Sequence, residues 1–355
     1  MKITNVMGVA ILCLMAATAG AATIPSIQNT SIETRTATAG LEPVIRELVG
    51  KQSQPAWIGY AVPIHSGWRV CCSSRRSDGR CRLEREEGVS HETDRPDSLD
   101  LTVKRNLLVL FRVNQGEVQR LRYYSDDCEL DAGGLPFFWL TDVVPQQSIT
   151  WLASFVIGAS ARFSGDEDAG DRVVGAIAMH DDPAAFDMLV RLVEPGCPES
   201  LRKEAAFWIG DTGGRQGVEA LKRMLRDDPS RDVRDEAVFA LTLDPEPDAL
   251  ETLIDIARND KDPEIRSNAI FWLGNEAGER AAASIADMAV EDPDTDVKEK
   301  AVFALSQMSP NEGVPRLIQI ARTNPNPEIR KQAIFWLGQS YDSRALDFFE
   351  EILTH

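Results

Sequence analysis

From about residue 200 onward, large apolar side chains return in blocks at a fixed spacing. RKEAAFWIG at Arg202–Gly210, RDEAVFALT at Arg234–Thr242, RSNAIFWLG at Arg266–Gly274, KEKAVFALS at Lys298–Ser306 and RKQAIFWLG at Arg330–Gly338 are one phrase written five times. Phe207, Phe239, Phe271, Phe303 and Phe335 stand 32 residues apart. A second set keeps the step: Leu221, Leu253, Ile285, Leu317 and Phe349, then Met224, Ile256, Met288, Ile320 and Ile352. A period in this range marks an array of supersecondary units, each burying its apolar face only against its neighbours.

Each unit reads as two helices. Val233, Ala237, Ala240 and Leu241 have helical spacing, and the first helix is apolar over most of its circumference, as a helix between two neighbours must be. Pro229, Pro263, Pro293 and Pro325 mark its start, and Asp232, Glu264, Asp296 and Glu328 suit the positive end of its dipole. Gly210, Gly274 and Gly338 are expected to end it as left-handed caps. A second helix follows, for example Asp248–Arg258. Trp208, Ala240, Trp272, Ala304 and Trp336 alternate large and small in one column, which lets close-packed layers interlock and favours core packing over a ligand-stacking ladder. Arg202, Arg234, Arg266, Lys298 and Arg330 form a basic column, expected to pair with acids at unit junctions rather than to bind anions.

The array is expected to fill 146–355, with a degenerate first unit at about 165–196 and a helix over Gln147–Arg162 sealing it. Phe348–Leu353 is expected to close the far end with acids outward. Residues 23–145 lack the period. Leu41, Val44, Ile45, Leu48 and Val49 fit a helix; Trp57–Val70 and Leu107–Val113 fit strands, the latter turning at Asn114-Gln115-Gly116 into a partner near Val118–Tyr124. Ser74–Asp100 is charged and expected to be an exposed loop. The fold class is therefore mainly α, an α-α superhelix preceded by a small α+β domain bearing cysteines.

Charge changes the picture in the second half. The net charge is −18, and residues 151–355 carry 22 basic and 39 acidic side chains. Such a surface repels nucleic acid and anionic lipid. Lys2, the apolar run Val6–Leu14 and the small residues Ala17–Ala22 form a secretory signal peptide at 1–22, so the mature chain is expected to be periplasmic or secreted, without membrane insertion. Export favours disulfides among Cys71, Cys72, Cys81 and Cys128, with their pairing open; zinc lacks a C-x-x-C pair or a nearby His. Cys197 is left over and expected to be buried at a unit junction. Asp126, Asp127, Glu129 and Asp131 could ligate calcium, but Ala132 stands where that loop needs glycine, which favours an acidic turn.

The Asp-Pro, Ile-Arg, Ala-Ile-Phe-Trp-Leu phrase at Asp262–Leu273 resembles HEAT repeats, in particular the HEAT-like class named for phycobilisome lyases, over about 165–355. The whole chain resembles exported bacterial HEAT-repeat proteins. The resemblance implies a solenoid with first helices on the convex side, second helices on the concave side and proteins as partners. Bilin lyases work in the cytoplasm, against the signal peptide. Deoxyhypusine hydroxylases hold iron through His-Glu pairs, and this chain's only such pair, His91-Glu92, lies outside the repeats; no metal, cofactor or catalytic residue is expected. The leading expectation is an exported scaffold that binds a protein or peptide, a basic one given the acidity, through Glu219, Arg223, Glu251, Asp255, Asp287, Gln319 and Glu351 on the second helices. The alternative is an envelope enzyme with redox or metal chemistry at Cys71-Cys72 or the Asp126–Asp131 acids and repeats that recruit substrate.

Overall fold

The computed structural model describes residues 24–354 except 67, 73–79, 86–88, 94–104, 158–168 and 276–277. The expected signal peptide and His355 lie outside the described residues.

The N-terminal part contains β1 (Ile27–Gln28), β2 (Ile32–Thr36), α1 (Leu41–Lys51), β3 (Ala56–Pro63), β4 (Trp68–Cys72), β5 (Cys81–Arg82), β6 (Val89–Thr93), β7 (Asn106–Asn114), β8 (Glu117–Ser125), β9 (Leu130–Asp131) and β10 (Phe137–Thr141). The main sheet has the order β2-β10-β3-β7-β8, with β10 parallel to β2 and β3, and the rest antiparallel. The β7–β8 hairpin forms where expected. Gln115 (φ 52°) and Gly116 (φ 76°) both take positive φ, the turn whose twist matches a hairpin. The strand expected over Trp57–Val70 is two strands, β3 and β4, separated at Ile64–His65. Part of the stretch expected as a loop, Ser74–Asp100, pairs as β5 and β6, and Cys81 and Leu83 within it are buried.

Both faces of the main sheet are covered, which explains the unbroken apolar run of β7. Leu107, Val109, Phe111 and Val113 join Ile58, Tyr60 and Val62 on the side of α1 and the first repeats. Leu108 and Leu110 join Trp57, Phe137 and Trp139 on the side of the small sheet β1-β9-β5.

The helical part runs α2 (Pro145–Ala153), then pairs: α3 (Ala169–Ala178) and α4 (Pro183–Leu192); α5 (Glu199–Thr212) and α6 (Gly214–Asp227); α7 (Arg231–Leu243) and α8 (Pro247–Asn259); α9 (Pro263–Asn275) and α10 (Glu279–Glu291); α11 (Thr295–Gln307) and α12 (Pro310–Thr323); α13 (Pro327–Gln339) and α14 (Ser343–Thr354). Asp232, Glu264, Asp296 and Glu328 fall in first turns as expected. Among the described residues, no helix is long and apolar enough to cross a membrane.

The glycines expected as caps are not caps. Gly210, Gly274 and Gly338 lie inside α5, α9 and α13, none with positive φ. Their missing side chains let units approach: a Cβ on Gly210 would stand 2.2 Å from the Ala240 carbonyl oxygen, and one on Gly274 3.0 Å from Ala304 Cβ. This completes the tryptophan column. Units with Trp and Gly (Trp208/Gly210, Trp272/Gly274, Trp336/Gly338) alternate with units holding Ala and a small hydroxyl residue (Ala240/Thr242, Ala304/Ser306). Each indole leans back onto the previous unit: Trp272 lies 4.8 Å from the Phe239 ring and Trp336 5.2 Å from the Phe303 ring. Trp208 meets Gly175 there, and Trp68 of β4 and the Tyr123 hydroxyl of β8 fill the space that phenylalanine takes elsewhere. The working period is therefore two units.

One core consequently runs from the sheet into the repeats. The seam is also polar. Asp181 N–H donates to the Pro63 carbonyl at 3.0 Å, and His65 N–H to that of Met179 at 3.1 Å. The buried His180 holds the Ala176 carbonyl through Nδ1 at 2.7 Å and the Ser148 hydroxyl through Nε2 at 2.8 Å; Ser148 in turn meets the Tyr60 hydroxyl at 2.8 Å. Burial depresses His180 to about 4, so the ring is neutral near pH 7.

At the far end the acids Glu350 and Glu351 face outward as expected. Phe348 is buried, but Leu346, Ile352 and Leu353 are exposed beside the acids. Helix α14 packs against α12, where Arg322 lies over the Phe348 ring.

Candidate functional site

The junction loops show what the basic column does. Asp228, Asp260, Asp292 and Asn324 repeat every 32 residues and end the second helices. Each accepts the backbone N–H two residues on, at 2.8–3.0 Å, a side-chain turn that launches the next helix. Arg202 forks onto Asp228 (2.7 and 3.1 Å) and Arg266 onto Asp292 (2.8 and 2.9 Å), all four buried. Arg234 reaches Asp262 at 3.2 Å. Arg330 donates to the Asn324 carbonyl at 2.8 Å. In the unit where lysine stands at 298, the acid is replaced by Asn324, whose amide donates to the Ala289 carbonyl at 2.9 Å. Three of the five cations, Arg202, Arg234 and Arg266, thus pair with acids at the unit junctions, and Arg330 holds a carbonyl instead.

Consecutive second helices are joined by long side chains. Arg280 of α10 pairs with Glu251 of α8, Arg258 of α8 with Asp287 of α10 at 2.7 Å, and Arg322 of α12 with Glu351 of α14. Between α6 and α8 the cations turn elsewhere: Lys222 pairs with Glu219 and Arg226 with Asp227, both on α6. A furrow of about 750 Å³ opens there. Leu225, Thr252 and Ile256 floor it, Lys222 and Arg226 line one wall, and Asp248, Glu251 and Asp255 line the other. The first-helix side is tight where α5 and α7 meet at Gly210, and the furrow lies on the second-helix side.

The seven expected site residues therefore separate. Glu251 and Asp255 line the furrow, and Glu251 also pairs with Arg280. Arg223 faces a smaller cavity of about 130 Å³ between α4 and α6, with Val190, Glu194 and Met224. Glu219, Asp287 and Glu351 are exposed but bound to the cations just named, and Gln319 is exposed on α12. Sequence reasoning missed Asp248, Lys222 and Arg226. Asp248 lies one turn before Glu251 on α8 and was accessible from helical spacing; the two cations were not, since nothing local says which face of α6 borders α8.

A second group of carboxylates lies on the first helices. Burial raises Glu204, Asp211, Asp235 and Glu236 above the usual carboxylate range, although Trp208 donates to Glu204 at 2.8 Å and Asn268 to Asp235 at 2.9 Å.

The cysteines pair Cys71–Cys128 and Cys72–Cys81, with Cα separations of 5.9 and 5.5 Å. Adjacent Cys71 and Cys72 thus tie β4 to two different elements. Cys197 is free and half-exposed, not buried; it sits in the loop between α4 and α5, its Sγ 3.6 Å from the Arg191 carbonyl. The four acids beside the disulfide are drawn apart by separate partners. Asp126 accepts from Asn106 (2.7 Å), Asp127 from Arg69 (2.8 Å), Glu129 from Arg80 (3.4 Å) and Asp131 from Asn29 and the Gly133 N–H (both 2.9 Å). Asp127 also lies near the sulfurs of Cys71 and Cys128, which are bonded to each other.

Set beside known proteins, the chain matches the family model for HEAT repeats over 159–242, 219–306 and 282–355. No curated protein matches it. Among solved structures it is similar to the complex of CpcE and CpcF of phycocyanin lyase from a Nostoc species (20% identity, covering 44% of this chain and 99% of that one, TM-score 0.32). It is also similar to human deoxyhypusine hydroxylase (20%, 57% and 77%, TM-score 0.26) and to YibA of Escherichia coli (22%, 54% and 70%, TM-score 0.33). All three likenesses are remote.

Proposed function

The chain belongs to the HEAT-repeat family, and from that premise we propose that it is an exported scaffold holding a basic peptide segment of a partner protein. The furrow between α6 and α8 carries this reading. It is open, floored by Leu225, Thr252 and Ile256, and walled on α8 by three carboxylates one turn apart, of which Glu251 also pairs with Arg280, with Lys222 and Arg226 opposite. An extended segment bearing Lys or Arg would lay its stems along Leu225 and Ile256 and its charges against Asp248, Glu251 and Asp255. Export is supported by the signal-like N-terminus and by two disulfides, which persist in oxidising compartments. No catalytic group is assigned.

Panning a random peptide library on the purified protein tests this. Selected peptides should be rich in Lys and Arg and lose binding as salt rises. The Glu251→Lys/Asp255→Lys variant should reverse the charge preference while lowering the melting temperature only slightly, since both positions are solvent-facing and the Glu251–Arg280 pair it breaks is exposed. Enrichment that ignores this variant would overturn the assignment.

A further inference from the structure

A second cavity, of about 250 Å³, opens at the seam between the sheet half and the array. Three connections border it. His65 comes from the link between β3 and β4, Asp181 and Asp182 from the turn between α3 and α4, and Thr212 and Gln216 from either side of the turn between α5 and α6. The backbone bonds of Asp181 to Pro63 and of His65 to Met179 fix the first two borders against each other. Phe186 of α4 fixes the third, since a Cβ on Gly213 would stand 3.0 Å from its Cε2. That turn holds Gly213 and Gly214 where later turns carry Pro245-Glu246 and Ser309-Pro310, so it has no side chain of its own to fill the space.

The lining says what would fit. Part of it is apolar, from Ala178, Ala185, Phe186 and Leu189. The rest carries two carboxylates, and no lysine or arginine stands among the described residues that line it. Asp182 is already engaged: it caps α4 through the Ala184 N–H at 2.9 Å and takes the Gln146 amide. Among the described residues, the Asp181 carboxylate meets only the His65 imidazole, at 3.7 Å, beyond hydrogen-bonding distance. The Thr212 hydroxyl donates to the Trp208 carbonyl at 2.7 Å, which leaves its oxygen to accept. The Gln216 amide makes no hydrogen bond among the described residues. Three acceptors thus border one apolar chamber and lack a donor. A metal ion fits less well, because three potential ligands gather among the described residues only at Cys71, Asp127 and Cys128.

We propose that this cavity binds a small free amine, its ammonium donating to Asp181, Thr212 and Gln216 and its apolar body, about one aromatic ring in size, lying against Phe186. A cavity of about 150 Å³ holds benzene. At about 250 Å³ this one takes a ring and its ammonium arm whole, which makes the occupant a free molecule rather than a chain end. Because the lining comes from both halves of the molecule, occupancy tightens the seam. The cavity and the furrow share no residue, so either assignment can fail alone.

The probe is benzylamine, titrated into the full-length protein and followed by ligand-detected NMR. A Kd on the order of 1 mM is expected for a ligand of this size. Benzyl alcohol and benzoate keep the ring without the cation, and methylamine keeps the cation without the ring. Each should bind at least about tenfold more weakly. A Gly-Lys-Gly peptide with blocked ends should not compete. Asp181→Asn should weaken benzylamine about tenfold, and Gln216→Trp should block the mouth. Both positions are exposed, so both variants should melt within about 2 °C of the parent. The Glu251→Lys/Asp255→Lys variant should bind benzylamine as the parent does. Absence of binding, equal binding of any comparison probe, competition by the peptide, or indifference to either cavity substitution overturns the proposal. So does loss of binding in the furrow variant, because the amine would then sit between α6 and α8.

Discussion

The sheet half and the helical half of this molecule are held together by contacts of different range. Strand β2 pairs with β10 through Ile32 and Phe137, and β4 is tied to a residue 57 positions away by Cys71–Cys128. From α6 onward each helix meets partners within its own unit or an adjacent one. Closing long loops costs chain entropy before any contact forms, and covalent ties offset it by restricting the unfolded chain. Repeated local packing needs no such help, and the single cysteine of the array, Cys197, is free. The contrast is one of loop length rather than of core quality, because both halves share one apolar core.

The largest expected effect separates them directly. For the 57-residue span of Cys71–Cys128, loop-closure entropy corresponds to about 4 kcal/mol, and for the 9-residue span of Cys72–Cys81 to about 2.5 kcal/mol. A Cys71→Ser/Cys128→Ser variant should therefore lose most of its amide protection from hydrogen exchange in β3, β4, β7 and β8, while α9 to α13 keep theirs. Equal loss in both halves would show that the shared core couples them fully and would end the comparison.

Acid should act at the seam. His180 binds its proton only below about 4 in the folded state, against about 6.5 when unfolded. Between those values the unfolded chain holds more protons, so the contribution is complete above pH 6.5 and is lost as pH falls toward 4, by about 3 kcal/mol in all. The raised carboxylates Glu204, Asp211, Asp235 and Glu236 act in the opposite sense, since the folded state takes up their protons first as pH falls. Denaturant melts at pH 7 and 4.5 should show the sheet and α3 weakening more than α9 to α13. His180→Gln should remove most of that difference; a pH response unchanged by the substitution would remove His180 from the account.

How much of this could be read in the residues follows the same division. The 32-residue period, the helix pairs, the ladder of Arg202 and Arg266, and the hairpin at Gln115-Gly116 were all legible, because local spacing encodes them. The helix starting at Leu41 was legible for the same reason. The break between β3 and β4, the strands inside the charged stretch and the cysteine pairing were not, since each depends on which distant segment arrives beside it. The candidate site divides likewise. Glu251 and Asp255 came from helical spacing, but the cations facing them came from how α6 lies beside α8. The role of Gly210 was misread because a glycine near a helix end suits a cap as well as a close crossing, and only the neighbour decides.

The smallest expected effect tests that last point within the array alone. Gly210 and Gly338 occupy the same column and the same place in their helices. At Gly210 an added methyl would meet the Ala240 carbonyl at 2.2 Å, backbone that cannot turn aside, so α5 and α7 must separate. Gly210→Ala should then cost about 2 kcal/mol, the usual scale of overpacking, despite the better helix propensity of alanine. At Gly338 nothing opposes the methyl, and Gly338→Ala should be neutral or stabilising by up to about 1 kcal/mol through propensity alone. Gly274, with Ala304 Cβ at 3.0 Å, should fall between. Three alanine variants compared by urea melts give the order 210, 274, 338 from most to least harmful. If all three cost the same, the glycines serve their own helices rather than the next unit, and the two-unit period loses its physical basis.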